Sequence, residues 1–212
     1  MRTDRLGRIT DGGVIAILRG VERDDAVRVA DAVVDAGVTA LEVTADTPDA
    51  TASIAAIADR VDDAVVGAGT VLDAETARAA QFAGAEFLVT PTVNRGAIRT
   101  ANRYGTPIAV GAYTPTEALD AFEAGADLVK VFPAATGGPD HVAAIGGPLP
   151  QIPLVPTGGV GADDAGEYID AGAAAVGVGS SIADSEAIAA GDFDAVRANA
   201  RVVVEAVAAA RE

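Results

Sequence analysis

Of the 15 basic residues in this 212-residue chain, Lys130 is the only lysine, and the other 14 are arginines. It sits in Asp127-Leu128-Val129-Lys130-Val131-Phe132-Pro133, inside an apolar run. A lysine in an apolar strand is costly while charged, and a desolvated free amine is the nucleophile that Schiff-base chemistry with a ketone needs. The alternative is a side chain that snorkels to solvent or pairs with a carboxylate. Glu42, in Leu41-Glu42-Val43-Thr44, is a carboxylate flanked by apolar residues, which suits general acid–base work. Its alternative is a buried ion pair with Lys130 or Arg19 that serves structure alone. Two glycine-rich stretches, Pro156-Thr157-Gly158-Gly159-Val160 and Gly177-Val178-Gly179-Ser180-Ser181, could offer backbone N–H groups to a phosphate. Otherwise they are tight turns without a ligand.

Short β-branched runs alternate along the chain with alanine-rich segments of helical spacing. The runs predict strands at Val14–Leu18, Ala40–Thr44, Ala64–Gly67, Phe87–Thr90, Ile108–Gly111, Leu128–Val131, Ile152–Pro156 and Ala175–Gly179. Helices are expected at Asp24–Ala36, Asp49–Arg60, Ala74–Phe82, Ala97–Tyr104 and Thr116–Ala124, then at Asp140–Ile145, Ala162–Ala171 and Phe193–Arg211. Gly37, Gly84, Gly125 and Gly172 each follow a helix and precede a strand, the position of a C-cap glycine. The strands are continuously apolar, as parallel strands covered on both faces are. Eight βα units of about 25 residues fit a single (β/α)8 TIM barrel over residues 1–212. A doubly wound sheet is the alternative, but Leu18-Arg19-Gly20-Val21 lacks the GxGxxG pattern of a dinucleotide fold.

Barrel sites form at the carboxyl ends of the strands. Arg19 follows the first strand, Glu42 and Thr44 close the second, and Thr70 follows the third. Thr90 and Thr92 flank Pro91 after the fourth, Lys130 closes the sixth, Thr157 follows the seventh, and Ser180 and Ser181 follow the eighth. His141, the sole histidine, is expected at the surface with no role.

The net charge is −16 and the pI about 4.2. That balance argues against nucleic acid and anionic membranes, both of which need a basic face. The absence of cysteine excludes disulfides, thiolate catalysis and cysteine-ligated metals. No secretory segment is expected from Met1-Arg2-Thr3-Asp4-Arg5, and no run is long enough to span a membrane, so the cytoplasm is the expected location. Many acidic residues with one lysine suit a high-salt cytoplasm, or a GC-rich genome.

Leu41-Glu42-Val43-Thr44, Val66-Gly67-Ala68-Gly69-Thr70-Val71, Lys130-Val131-Phe132-Pro133 and Pro156-Thr157-Gly158-Gly159-Val160 share one order and spacing with a known family. In these motifs the chain resembles the class I 2-keto-3-deoxy-6-phosphogluconate (KDPG) aldolases, with their 2-keto-3-deoxy-6-phosphogalactonate and 4-hydroxy-2-oxoglutarate relatives. The resemblance implies a Schiff base on Lys130, acid–base work by Glu42 with a water, and binding of the pyruvyl end by Thr70. It sets Phe132 beside the lysine and Pro91 after the fourth strand. The phosphate falls to Gly158, Gly159, Ser180 and Ser181, with Thr157 and Gly179 in the same two turns. It also implies a cytoplasmic homotrimer without metal or cofactor, acting on a phosphorylated keto sugar acid to give pyruvate and glyceraldehyde 3-phosphate. Some members carry an arginine four residues after the glutamate, where this chain has Asp46. Arg19 then becomes the candidate for anion binding, because its planar fork suits a carboxylate. An aldolase for an unphosphorylated keto acid and a non-catalytic phosphosugar-binding barrel are the competing readings.

Overall fold

Every residue of every strand is buried, as in a parallel sheet covered on both faces. The computed structural model describes residues 2–212. Its first half runs α1 (Arg2–Gly12), β1 (Val14–Leu18), α2 (Arg23–Asp35), β2 (Ala40–Thr44), α3 (Ala50–Arg60), β3 (Val65–Gly69), α4 (Ala74–Phe82) and β4 (Phe87–Thr90). There follow α5 (Arg95–Tyr104), β5 (Ile108–Ala112), α6 (Pro115–Glu123), β6 (Leu128–Val131) and a 3-10 turn (Ala134–Thr136). The chain ends with α7 (Gly138–Gly146), β7 (Leu154–Pro156), α8 (Ala165–Asp170), β8 (Val176–Val178), α9 (Ser185–Ala189) and α10 (Phe193–Ala209).

All strand pairs are parallel, in the order β7-β6-β5-β4-β3-β2-β1-β8. The ring closes between β7 and β8 through a bridge of Thr157 with Gly177 and a 2.8 Å bond from the Ala174 N–H to the Leu154 carbonyl. This is the eight-stranded TIM barrel that the pattern predicts, and its closure removes the doubly wound alternative. Gly37, Gly84, Gly125 and Gly172 all have φ between 94° and 104°, the left-handed conformation that ends their helices.

Two apolar layers result. One lies between strands and helices. The other fills the barrel, with Ile15, Ala40, Val65, Phe87, Ala109, Leu128, Val155 and Ala175 forming its floor. Ile9 of α1 joins that inner layer and plugs the amino-terminal end. The sequence pattern gives no sign of α1, because only Leu6 and Ile9 in it are apolar. The β3 run extends two residues further than expected, through Gly69, while β7 and β8 are shorter than their apolar runs.

Candidate active site

Register places the chemistry. Glu42 pairs with Ile17 on one side and Gly67 on the other, while Lys130 pairs with Gly111 and Val155. Both side chains project into the barrel above the apolar floor, at 2% and 6% exposure. Lys130 Nζ lies 3.8 Å from Glu42 Oε1, and that oxygen has no hydrogen bond among the described residues. Gly69 is what makes room: a Cβ there would sit 1.7 Å from Glu42 Oε1. A glycine in the neighbouring strand thus lets the carboxylate stand beside the amine. The Phe132 ring lies 5.4 Å from Nζ and flanks the lysine on the solvent side, where the ring itself is 41% exposed.

Lys130, though neither Glu42 nor Thr70, lines a cavity of about 370 Å3 together with Phe132, Arg19, Thr157, Gly158, Gly159, Gly179 and Ser180 among others. Eight of the residues singled out from sequence therefore share one chamber. Beside it, the backbone N–H groups of Gly159, Ser180 and Ser181 in the turns after β7 and β8 have no acceptor among the described residues. Gly158 and Gly159 have φ of 93° and 81°, which turns their peptide groups out of the β7 ladder. The Thr157 side chain occupies the space left by the missing Cβ of Gly177.

Arg19 reaches the mouth from the end of β1. It pairs with Asp46, and its Nη2 donates a 2.8 Å hydrogen bond to Thr70 Oγ1. Thr70 itself has φ of 54°, rare for a β-branched residue and a form of strain that gathers at functional sites. The position where an arginine is found in some aldolases thus carries the counter-ion of Arg19.

Not every candidate reaches the chamber. Pro91 lines a neighbouring groove with Gly111, Tyr113 and Phe132, so only Phe132 joins it to the lysine. The Ser181 hydroxyl donates to the Val160 carbonyl at 3.3 Å, which leaves its backbone N–H rather than its side chain for a ligand. His141 is half-buried, not a free surface residue: its ring stacks on Tyr113 at 4.6 Å, with Nε2 2.7 Å from the Tyr113 carbonyl oxygen. Asp184 and Ser185 also line the cavity and escape the sequence reading. The signal for them is the N-cap pattern of Asp184, whose carboxylate accepts the Ala187 N–H and starts α9. Among the described residues no group of three or more His, Cys, Asp or Glu could hold a metal ion, and no helix is long and apolar enough to cross a membrane.

The chain that carries this buried lysine beside a buried glutamate has relatives among known proteins. Residues 7–199 match the sequence profile of the KDPG and KHG aldolases. The chain belongs to this family. It is accordingly a carbon–carbon lyase. It is 41% identical to the 2-dehydro-3-deoxy-6-phosphogalactonate aldolase of Escherichia coli K12, over 80% of this chain and 83% of that one. With the 2-dehydro-3-deoxy-phosphogluconate aldolase of Treponema pallidum it shares 36% identity over 92% of this chain and 93% of the other. The crystal structure of the Legionella pneumophila KDPG aldolase, with pyruvate captured as a covalent carbinolamine, superposes with a TM-score of 0.86. That aldolase is 30% identical, covering 92% of this chain and 96% of its own.

Proposed function

We propose that this aldolase cleaves 2-keto-3-deoxy-6-phosphogluconate to pyruvate and glyceraldehyde 3-phosphate through a Schiff base on Lys130. The observation that carries the reading is the chain's only lysine, buried 3.8 Å from a buried glutamate at the floor of an open chamber. Lys130 attacks the C2 ketone as the free amine, and loss of water gives an iminium ion. Glu42, directly or through a water, takes the proton of the C4 hydroxyl. The C3–C4 bond breaks, its electron pair enters the iminium, and an enamine remains as the aldehyde leaves. Glu42 then returns a proton to C3, and hydrolysis frees pyruvate and the amine. Glu42 thus alternates between base and acid at one position, as a general acid–base catalyst must.

Arg19 and Thr70 bind the carboxylate end, and the free N–H groups after β7 and β8 bind the phosphate. Holding both ends of the substrate is worth several kcal/mol of barrier through orientation. Borohydride added with pyruvate tests the reading. Mass spectrometry should find one reduced adduct, on Lys130, which also removes the chain's only tryptic cleavage after lysine. An unmodified Lys130 overturns it. Sugar-acid phosphates are charged and membrane-impermeant, which makes the cytoplasm the place of work.

A second reading, cleavage of the galactonate epimer, is favoured by the 41% identity to an aldolase of that name. Coupled assays on the two epimers separate the readings. The higher kcat/KM is expected for the gluconate, and the reverse order selects the galactonate.

A further inference from the structure

The stem of Arg19 is fixed and its tip is not. Beside it, the Gly20 N–H donates to Thr47 Oγ1 at 3.0 Å, and that oxygen lies 2.9 Å from the buried Thr44 hydroxyl. The backbone at the end of β1 is thus tied to the turn after β2, while the Arg19 side chain stays 55% exposed. A long side chain on a fixed stem goes where its partners hold it, and rotamer entropy opposes any single place.

Arg19 borders two cavities. One is the chamber of Lys130. The other, of about 320 Å3, shares Arg19, Ala183 and Ser185 with it and is lined also by Glu22 and Asp25, at the start of α2. Glu22 makes no side-chain hydrogen bond to the helix it precedes, and Asp25 has only Arg28, at 3.8 Å. Both carboxylates can therefore draw a guanidinium. Against them stand Asp46, which accepts from Arg19 Nη1, and Thr70 Oγ1, which accepts from Nη2 at 2.8 Å. Asp46 lines neither cavity, so it acts on a ligand there only through Arg19.

We propose that Asp46 is the positioning residue of the carboxylate end: its charge holds Arg19 at the chamber of Lys130, against Glu22 and Asp25, and so sets the affinity for a keto acid. The inference rests on the reading that Arg19 binds the substrate carboxylate. With one N–H on Asp46 and one on Thr70, the guanidinium keeps enough donors for a bidentate carboxylate. Without the Asp46 charge it divides its time between the two cavities, and affinity falls by the fraction of time it faces the chamber.

Trapping of pyruvate on Lys130 by borohydride, followed in the full chain by mass spectrometry over a range of pyruvate concentrations, tests the proposal. Arg19→Met should raise the half-saturating concentration about tenfold or more, through loss of a charged hydrogen bond. Asp46→Asn keeps an acceptor of the same shape without its charge. It should raise the value about three- to tenfold, as for a guanidinium in place roughly a tenth to a third of the time. Adding Glu22→Gln and Asp25→Asn to Asp46→Asn should bring the value back to within about twofold of the unaltered chain, since nothing then draws Arg19 away. Those two changes alone should leave the unaltered value where it is. If Arg19→Met shifts the value but Asp46→Asn leaves it unchanged or lowers it, the proposal is overturned and the reading of Arg19 stands. A rescue that fails overturns it too, as does an equal gain from the two amides in the unaltered chain, which marks a general effect of fewer acidic groups. An Arg19→Met chain that traps pyruvate as readily as the unaltered one overturns the reading and the proposal together. Trapping that still saturates shows that a variant keeps its site; if Asp46→Asn does not fold, Asp46→Ser is read in its place against the same outcomes.

Discussion

Lys130 and Glu42 form an ion pair that water scarcely reaches, so removing one partner strands the other. Lys130→Met is expected to destabilise the fold by about 3–5 kcal/mol, because the Glu42 carboxylate is left buried without its cation. Adding Glu42→Gln should recover much of that loss in urea titrations. Recovery of nothing would mean that the pair is not what supports the core there. In kinetics the two residues separate differently. Glu42→Gln should lower kcat by about 10²–10⁴-fold while the borohydride adduct on Lys130 still forms. Lys130→Arg should lose both, since a guanidinium supplies no free amine. Thr70 offers an opposite balance. Its left-handed backbone stores about 1–2 kcal/mol of strain in a non-glycine residue. Replacement by glycine returns about 0.4–1 kcal/mol of that as unfolded-state entropy. Thr70→Gly should therefore raise the melting temperature slightly while KM rises, because Arg19 loses its hydroxyl acceptor. A lower melting temperature would show that no strain is held at this position.

The N-termini of α4, α5, α6, α9 and α10 are each held by a capping side chain, and α6 shows the dependence most fully. Thr114 accepts the Glu117 N–H, and the Glu117 carboxylate accepts the N–H groups of Tyr113 and Thr114 in return. The Tyr113 N–H, then the Thr114 N–H and hydroxyl, hold the Glu117 carboxyl below its ordinary value. A carboxyl lowered in the folded state adds stability above its unfolded value near 4.5, lost as pH falls through the folded one. Glu117→Gln should therefore melt lower than the unaltered chain at pH 7, by the equivalent of about 1 kcal/mol or less, and the two curves should converge as the pH falls below 4.5. Curves that stay parallel through that range would remove the linkage. The same local rules explain which elements can be read from sequence. Capping glycines and apolar runs are local signals, so all eight strands and the helices between them stand within a few residues of expectation. The α1 plug carries too few apolar residues to show a period, and α9, with five residues, is too short to show one. In the site, Lys130 and Glu42 are legible because charge in an apolar strand is conspicuous. The pairing of Arg19 with Asp46 is not, because it joins the ends of two strands that only the barrel makes neighbours.

The whole molecule is governed by its excess of 31 acidic over 15 basic residues. Its arginines cannot neutralise that surface: the pairs that exist, such as Arg60 with Asp31 and Arg197 with Asp194, leave most carboxylates without a cation. Self-repulsion of a net −16 chain opposes the compact state, since unfolding spreads the charges apart. Added salt shortens the range of this repulsion, from about 10 Å at 0.1 M to about 3 Å at 1 M. It also weakens the ion pairs, but these are largely exposed and contribute about 0–1 kcal/mol each, so the repulsive term wins. The melting temperature should therefore rise between 0.1 and 1 M potassium chloride, by about 2–4 °C for each kcal/mol of repulsion removed, and then level off. Chloride is needed for the experiment, because sulfate stabilises most proteins through apolar burial as well. The rise should shrink when ten exposed carboxylates are replaced by their amides, since those variants have less repulsion to screen. A melting temperature that is flat or falls with potassium chloride, or a rise that the amide variants share in full, would show that the acidic surface is not what limits this fold at low salt.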